Sequence, residues 1–365
     1  MRQEEIDNVV KNERENVKYY NVLCNNNYPT FINKYLSLKL LKRIDGIGQF
    51  CGQNYNGLDF FKMLFNYSRL NHSIACACII WNQTFDKTQT LLALFHDIGT
   101  PSFSHCVDFM LGDTKTQESS EKNIYELMIK DKEVLNLLQE DSVNVEVFKD
   151  LEKYPLVENT APKLCVDRLE GIFSTCYVWR QNWELKDIQE IIKYLTIGIN
   201  EDNDLELAFN NVNIANKFMG GMNEYALALQ MNEDKLSMNL IGDILNLAIS
   251  YDVIKFEDLY ILSEEEIINK IKLSGNRQLN YLWNSFAGLK KIYRCDNLKE
   301  IKYCKEIISK KRYVNPLVQG GSGLIRLTEV SDEARNILTK YLEFADSKYA
   351  YFDIDTVKVK KLINK

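Results

Sequence analysis

The stretch LLALFHDIGTPSFSHC (91–106) decides how we interpret this chain. Its apolar run ends in an adjacent histidine and aspartate, His96 and Asp97, and Gly99 and Pro101 follow at once. The run predicts a buried helix, and the glycine and proline predict its end directly after the pair. Both polar side chains are costly to bury without a partner. The pair is therefore either a structural His–Asp pair that closes a helix or two ligands of a metal ion.

A second histidine lies one helical hairpin upstream. His72 occurs in SRLNHSIACACIIW (68–81), whose apolar spacing predicts a helix. The short connection NQTFDKTQ (82–89) lets this helix and the next lie antiparallel, so His72 and His96 approach the same end of the pair. Imidazole nitrogen and carboxylate oxygen are ligands that a borderline divalent metal accepts.

A fourth ligand has to come from another part of the chain. Asp167 lies in KLCVDRLEGIF (163–173) among apolar residues, and a carboxylate in such surroundings needs a cation or a strong hydrogen-bond partner. We therefore predict a metal site formed by His72, His96, Asp97 and Asp167. A helical interaction protein with a purely structural His–Asp pair stays open at this point.

Composition restricts the class of protein. The 365 residues are 45% hydrophobic and 26% charged, as in a soluble globular protein, and the net charge of −6 provides no general basic field for nucleic acid or an anionic membrane. No apolar run is long enough to span a bilayer, and the charged N-terminus lacks the apolar core of a signal peptide. Nine scattered cysteines without a C-x-x-C motif predict reduced core thiols. We expect a cytoplasmic protein with no membrane partner and no strong nucleic-acid signal.

Periodicity predicts a mostly α-helical protein. The chain has few turn-forming residues, 16 glycines and 5 prolines. Helical spacing is clearest in NLIGDILNLAISYDVI (239–254), RQLNYLWNSFAGLKKIY (277–293) and EARNILTKYLEFA (333–345). Strand candidates come late, at GLIRLTEV (323–330) and YAYFDI (349–354), and predict a small β hairpin near the C-terminus. The polar segment EDNDLE (201–206) is taken as a break between a helical core, 1–200, and a helical extension, 201–365.

Several segments of the sequence resemble motifs of the HD-domain metal-dependent phosphohydrolases. More narrowly, they resemble the branch of dGTPase-like deoxynucleoside triphosphate triphosphohydrolases. The similar segments are NKYLSLKLLKRIDGIGQF (33–50), SRLNHS (68–73), LLALFHDIGTPSFSH (91–105), CVDRLEGI (165–172) and, more faintly, KKRYVNPLV (310–318). The resemblance covers about residues 30–180 well. It implies an HD-domain helical core within residues 1–200 and the same four metal ligands.

The resemblance also implies how a substrate is bound. Arg69 and Arg168 would contact phosphate oxygens through their planar donor forks, and lysines within 310–312 would help to neutralise phosphate charge. The substrate would be a nucleotide or another small phosphate ester, and homo-oligomers are implied as well. Members with two or three metals need further histidines, so we expect one divalent ion, drawn from Mn, Fe, Ni, Zn, Co or Mg.

Two departures from the family pattern concern the catalytic groups. Thr100 stands where the triphosphohydrolases usually have a histidine, and Gln117 replaces the histidine of a His-Glu pair. Neither side chain titrates near neutral pH. We expect His105 as the general acid, followed by Glu118, with Glu121 as a further candidate. A phosphomonoesterase or nucleotidase of the same fold, or a catalytically weak nucleotide sensor, is the alternative.

Overall fold

The computed structural model describes residues 3–321 and 323–357, with side chains from residue 11 onward. A π-helical turn at Thr175–Trp179 extends the α-helix Val166–Ser174. The helices up to residue 200 are α1 (Gln3–Leu23), α2 (Lys39–Asp45), α3 (Arg69–Thr84), α4 (Lys87–Phe95), α5 (His105–Met110), α6 (Ile124–Met128), α7 (Lys132–Glu140), α8 (Val166–Ser174) and α9 (Leu185–Lys193). Those that follow are α10 (Val212–Gln230), α11 (Asn232–Ser250), α12 (Glu264–Leu273), α13 (Arg277–Ala287), α14 (Leu327–Val330) and α15 (Asp332–Glu343).

Two small sheets complete the fold. The strands are β1 (Leu195–Ile199), β2 (Leu205–Phe209), β3 (Tyr293–Cys295), β4 (Lys302–Lys305), β5 (Leu317–Gln319), β6 (Leu324–Arg326) and β7 (Tyr349–Asp355). One sheet has the order β1-β2-β5-β6, in which β2 and β5 are parallel and the other pairs antiparallel. The second has the order β3-β7-β4 and is antiparallel. The predicted mostly α-helical fold with a small β element near the C-terminus is confirmed.

The α3–α4 hairpin forms the buried centre of the first half. Ser68 caps α3 in a reciprocal capping box with Asn71, and Asp86 caps α4 by accepting hydrogen bonds from two backbone N–H groups. Phe85 ends α3 in a left-handed conformation with φ of 51°. The predicted antiparallel hairpin therefore forms with two connecting residues, and the start of α3 lies beside the end of α4.

The predicted strand at 323–330 and the predicted polar break at 201–206 both differ from the structure. In the segment 323–330 only β6 is a strand, because the chain turns into α14 at Leu327, whose N–H donates to the carbonyl of Pro316. The polar segment 201–206 is the turn between β1 and β2 and the start of β2, since it connects two strands that pair over five residues each. The predicted division at residue 200 thus falls inside a hairpin, and the two-domain organisation stays a prediction.

The hydrophobic core consists of two clusters. One contains much of α1, α3, α4, α8 and α10, and the other contains α5, α11, α13 and β7. A cavity of about 710 Å³ is lined by members of both, including Ile172 and Met222 from the first and Trp179 and Met238 from the second. Of the nine cysteines, all free, eight are buried, and no helix among the described residues is long and apolar enough to cross a bilayer.

Neighbouring glycines of α10 provide a matched test of the packing. A Cβ at Gly221 would lie 2.3 Å from the ring of Trp183, whereas one at Gly220 would meet nothing within 4 Å. We expect Gly221→Ala to lower the free energy of unfolding by about 1–3 kcal/mol through overpacking. Gly220→Ala should raise it by about 0.5–1 kcal/mol, because alanine loses less backbone entropy in a helix. Urea unfolding measures both, and equal effects would contradict the packing described here.

Candidate metal centre

The four predicted ligands converge on one point. His72 Nε2 lies 3.2 Å from His96 Nε2, 3.0 Å from Asp167 Oδ1 and 4.0 Å from Asp97 Oδ2. His96 Nε2 lies 3.8 Å from Asp97 Oδ2 and 3.6 Å from Asp167 Oδ1. The side chains come from three segments that are far apart in sequence: the start of α3, the end of α4 and the start of α8.

The turn after α4 holds His96 and Asp97 in place. The Arg43 guanidinium donates from Nη2 to the carbonyls of Ile98 (2.7 Å) and Thr100 (2.8 Å). Gly99 leaves no room for a side chain, because an added Cβ would lie 2.1 Å from the carbonyl oxygen of Lys122. The glycine is thus required by the close approach of a second backbone segment, and α4 already ends at Phe95, before the His96–Asp97 pair and not after it as predicted.

Both imidazoles are oriented by their second ring nitrogen. His96 Nδ1 lies 2.7 Å from the carbonyl oxygen of Ala93 and donates to it, which leaves Nε2 as the free lone pair. His72 Nδ1 is in contact with Glu170 Oε2. Glu170 is fully buried, and its Oε1 accepts from Tyr19 OH (3.0 Å) and Tyr67 OH (2.7 Å). A carboxylate that fixes a histidine in this way is the usual support of a metal-ligating imidazole.

Sequence reasoning missed Glu170. Its signal was the spacing to Asp167: residues three apart lie on the same face of a helix, here α8, so both carboxylates point to the histidines. Asp167 reaches Nε2 of His72 and Glu170 reaches Nδ1 of the same ring.

The electrostatics of the centre favour a bound positive charge. Burial raises the pKa of Asp97, but Arg69, His96 and His72 outweigh it and hold this pKa below its usual range. Burial lowers the pKa of His96, but Asp97 and Asp167 outweigh it and raise this pKa above its usual value. Two ionised carboxylates and two inward-facing nitrogens therefore surround a space that a cation or protons must neutralise.

A thiol and an outer acid lie close to the centre but differ from the four ligands. Cys76 Sγ is 3.9 Å from Nδ1 and 3.7 Å from Nε2 of His72, so it packs against the ring between its nitrogens instead of along a lone pair. Burial raises the pKa of this thiol to about 12. Near Asp167, Cys165 and Glu158 approach each other, but the Arg168 guanidinium donates to both (each 3.4 Å) and supplies the positive charge there.

The two arginines predicted to bind phosphate line the cavity next to the centre. Arg69 is buried and donates from Nη1 to Asp97 Oδ2 (2.9 Å) and from Nε to Ser104 Oγ (3.2 Å). Arg168 donates from Nη1 to the carbonyl of Lys163 (2.9 Å) and contacts Asn159, so it also braces the 158–163 segment. Their role in phosphate binding stays a prediction.

The KKR segment, 310–312, forms a basic part of the cavity wall. Arg312 Nη2 donates to Gln117 Oε1 (2.8 Å) and lies 3.3 Å from His105 Nε2. Lys310 Nζ donates to Glu118 (2.8 Å), whose side chain is mostly exposed. Arg312 was only faintly indicated by the sequence, because it lies about 200 residues beyond the histidine that it contacts.

The candidate proton-transfer groups differ in their surroundings. His105 Nδ1 lies 2.9 Å from Asp108 Oδ2, and burial together with the charge of Arg312 lowers the pKa of His105. Burial and the charge of Asp97 raise the pKa of Glu121 to about 7, although Arg69 opposes this. Glu121 thus joins His105 and Glu118 on the cavity wall.

Thr100 and Gln117 both have hydrogen-bond partners in the structure. Thr100 Oγ1 donates to Asp97 Oδ1 (3.2 Å), and Gln117 Nε2 donates to the carbonyl of Thr114 (3.2 Å). Gln117 also accepts from Arg312. Thr100 therefore supports the Asp97 carboxylate, and Gln117 holds the Arg312 guanidinium at the cavity wall.

Two known proteins are similar to this chain in sequence. The uncharacterized protein YdhJ of Bacillus subtilis is 24% identical over 281 residues, 74% of this chain and 80% of YdhJ. The metal-dependent phosphohydrolase cns2 of Cordyceps militaris is 28% identical over 131 residues, 36% of each chain. No protein-family model matches the chain.

Solved structures extend the likeness to the whole fold. A hypothetical protein from Aquifex aeolicus superimposes with a TM-score of 0.60 at 15% identity, covering 90% of this chain and 94% of that one. A phosphohydrolase from Bacteroides thetaiotaomicron gives 0.59 at 14% identity, covering 87% and 94%. At these identities the likeness shows a shared fold.

A buried acid behind the cavity wall makes stability depend on pH. Glu264, at the start of α12, lies against Gly48 and Gly52, and burial raises its pKa to about 7. Because the folded protein holds this proton more tightly than the unfolded chain, stability falls as the pH rises from about 4.5 to about 7. We expect the free energy of unfolding of Glu264→Gln minus that of wild type to be roughly 2 kcal/mol larger at pH 8 than at pH 5.

Urea unfolding at both pH values measures this difference. The neighbouring Glu265, which is exposed, supplies the control variant Glu265→Gln, for which we expect no pH-dependent difference. A Glu264→Gln effect of the same size at both pH values would show that the carboxyl is ionised in the folded protein.

Proposed function

We propose that this chain is a metal-dependent phosphohydrolase that acts on a nucleotide. The observation that carries the proposal is the convergence of two imidazole nitrogens and two carboxylates at the edge of a large cavity with a basic wall. The names of cns2 and of the Bacteroides protein, together with the shared fold of the latter, support a phosphohydrolase of the HD-like superfamily.

The donor set fits one divalent cation. His72, His96, Asp97 and Asp167 would hold it, and their mixed nitrogen and oxygen donors suit Mn, Fe, Ni, Zn or Co and, less well, Mg. A cation bound there supplies Lewis-acid polarisation of a phosphoryl group and a lowered pKa of water. Glu170 and the carbonyl of Ala93 keep the two imidazoles in the tautomer that such binding requires.

The basic wall of the cavity would bind the phosphates. Arg69 and Arg312 present guanidinium groups to the cavity, and Lys310 adds an ammonium group that pairs with Glu118. Lys311 also lines the cavity, but its Nζ already donates to backbone carbonyls at the end of α15, those of Tyr341, Leu342 and Phe344. Arg69 is held by Asp97, and Arg312 by Gln117, so both donors are fixed before a phosphate arrives. We place Arg168 with them, although its contacts to the 158–163 segment serve structure as well.

His105 is the side chain best placed for proton transfer in this proposal. Its Nδ1–H donates to Asp108, so Nε2 faces Arg312 as a proton acceptor at neutral pH. It would act as a general acid only after taking up a proton. Glu118 and Glu121 are the alternative acids from the same wall.

The metal assignment can be tested without an activity assay. We expect His96→Ala and Asp97→Ala to lose the one equivalent of metal that elemental analysis finds in wild-type protein purified without chelator. Glu170→Gln should weaken metal binding roughly 10- to 100-fold in a competition titration, because Gln accepts the His72 proton less strongly. Cys76→Ser is the matched control, since its thiol packs beside the ring, and should keep one equivalent.

The reaction class is tested by its products. Wild-type protein loaded with the metal found is incubated with nucleoside mono-, di- and triphosphates, and the products are separated by chromatography. Release of tripolyphosphate from a triphosphate indicates the triphosphohydrolase reaction, and release of inorganic phosphate from a monophosphate indicates a nucleotidase of the same fold. A nucleotide that stabilises the protein thermally but is not hydrolysed with any of the divalent metals named above would contradict the hydrolase and favour a sensor. The absence of a histidine at Thr100 and Gln117 would explain such a result.

A further inference from the structure

Asp234 is a buried acid on the cavity wall that takes no part in the metal centre. It lies in the first turn of α11, the residue is 3% exposed, and it lines the cavity. Its Oδ2 has no hydrogen-bond partner among the described residues. A buried carboxylate oxygen without a donor is costly, and because Asp234 lines the cavity, a donor in the cavity relieves that cost once the carboxylate turns toward it.

The chain fixes the position of Asp234 from behind. Gln53, itself 1% exposed, donates from Nε2 to the backbone carbonyl of Asp234 (3.2 Å). Burial raises the pKa of the Asp234 carboxyl to about 7, although Gln53, Lys235 and Arg312 act to lower it. The acid is therefore poorly solvated, and its carboxyl group gains from a cavity donor toward which it can turn.

The wall around Asp234 is apolar and partly aromatic. Met238 lies four residues further along α11, on the same helix face, and lines the cavity. Gln53 N donates to the carbonyl of Phe50 (3.0 Å), and the Phe50 ring lies 5.1 Å from that of Trp179. Both rings also line the cavity. Flat apolar surfaces beside a single acceptor favour a planar ring that carries an N–H donor over a flexible polyol.

We propose that Asp234 determines substrate specificity by accepting a hydrogen bond from an amino group on the base of the nucleotide. This inference rests on the proposed nucleotide substrate. The phosphates would lie at the basic wall and the base between Asp234 and the Phe50–Trp179 pair. Bases that present an amino group to this oxygen would be preferred over those that lack one.

Nucleosides test the inference separately from hydrolysis, because they carry no phosphate. Two pairs differ by one amino group each: guanosine and inosine, and adenosine and purine riboside. Calorimetry with chelator-treated and with metal-loaded protein gives their affinities. The titrations are done at pH 8, above the raised pKa of about 7, so that the Asp234 carboxyl is mostly ionised. We expect at least one amino-bearing nucleoside to bind roughly tenfold or more tightly than its partner there, since the hydrogen bond is to a charged group.

Two substitutions in the first turn of α11 locate the effect. Asp234→Asn is nearly isosteric but offers only a neutral amide oxygen as acceptor, and should lower the affinity ratio of the preferred pair several-fold. Glu233→Gln is the matched control: Glu233 pairs with Arg294 away from the cavity, so the ratio should stay at the wild-type value. Thermal unfolding of each variant separates a loss of folding from a loss of selectivity.

Several results would overturn the inference. These are equal affinities within both pairs, no binding of any nucleoside by wild type, or a ratio that survives Asp234→Asn. In another outcome, wild type prefers adenosine over its 2′-deoxy or 3′-deoxy form and loses that preference in Asp234→Asn. That result would assign the donor to a sugar hydroxyl and not to the base. If Asp234→Asn does not fold, the wild-type ratios alone decide. A protein that selects amino-bearing nucleosides but hydrolyses no nucleotide would retain this inference and lose the proposed reaction.

Discussion

The organisation of this protein depends on two imidazole nitrogens that face each other at 3.2 Å beside two carboxylates. Each ring is held by its other nitrogen, His72 by Glu170 and His96 by the carbonyl of Ala93, so neither can turn away. Such an arrangement is unfavourable unless a positive charge fills it. A divalent cation satisfies all four donors at once, which is why we regard this centre as the functional core of the fold.

Distant parts of the chain keep these donors in place. Arg43 fixes the turn after His96, and the backbone of Lys122 lies against Gly99 and donates to its carbonyl. The segment before α8 is anchored by the small sheet: Glu206 in β2 accepts from the N–H of Leu164 (2.9 Å) and from Arg326 Nη1 (2.6 Å). The sheet built from β1, β2, β5 and β6 therefore contributes to the position of Asp167, although it contains no ligand.

Much of this could be predicted from the sequence, and the reasons for success and failure are physical. The apolar run before His96, the spacing of α3 and the flanks of Asp167 are local patterns, and they predicted the helices and the four side chains that the structure brings together. The role of Glu170 was not predicted, because the sequence around a buried acid is similar to the sequence around a surface acid. Arg312 reaches His105 across 207 residues, a contact that no local pattern encodes. The short strands β1 and β2 form because they pair with each other and with β5, so their sequence alone predicted only a polar break.

We propose that one divalent cation binds between the two histidines and the two aspartates. Anomalous diffraction at the absorption edge of the metal found by elemental analysis tests it most directly, with crystals of protein purified without chelator. We expect one strong peak per chain, surrounded by Nε2 of His72 and His96 and by carboxylate oxygens of Asp97 and Asp167. A peak at Cys165 and Glu158 instead, or protein that contains stoichiometric metal but shows no peak between the four side chains, would contradict the account.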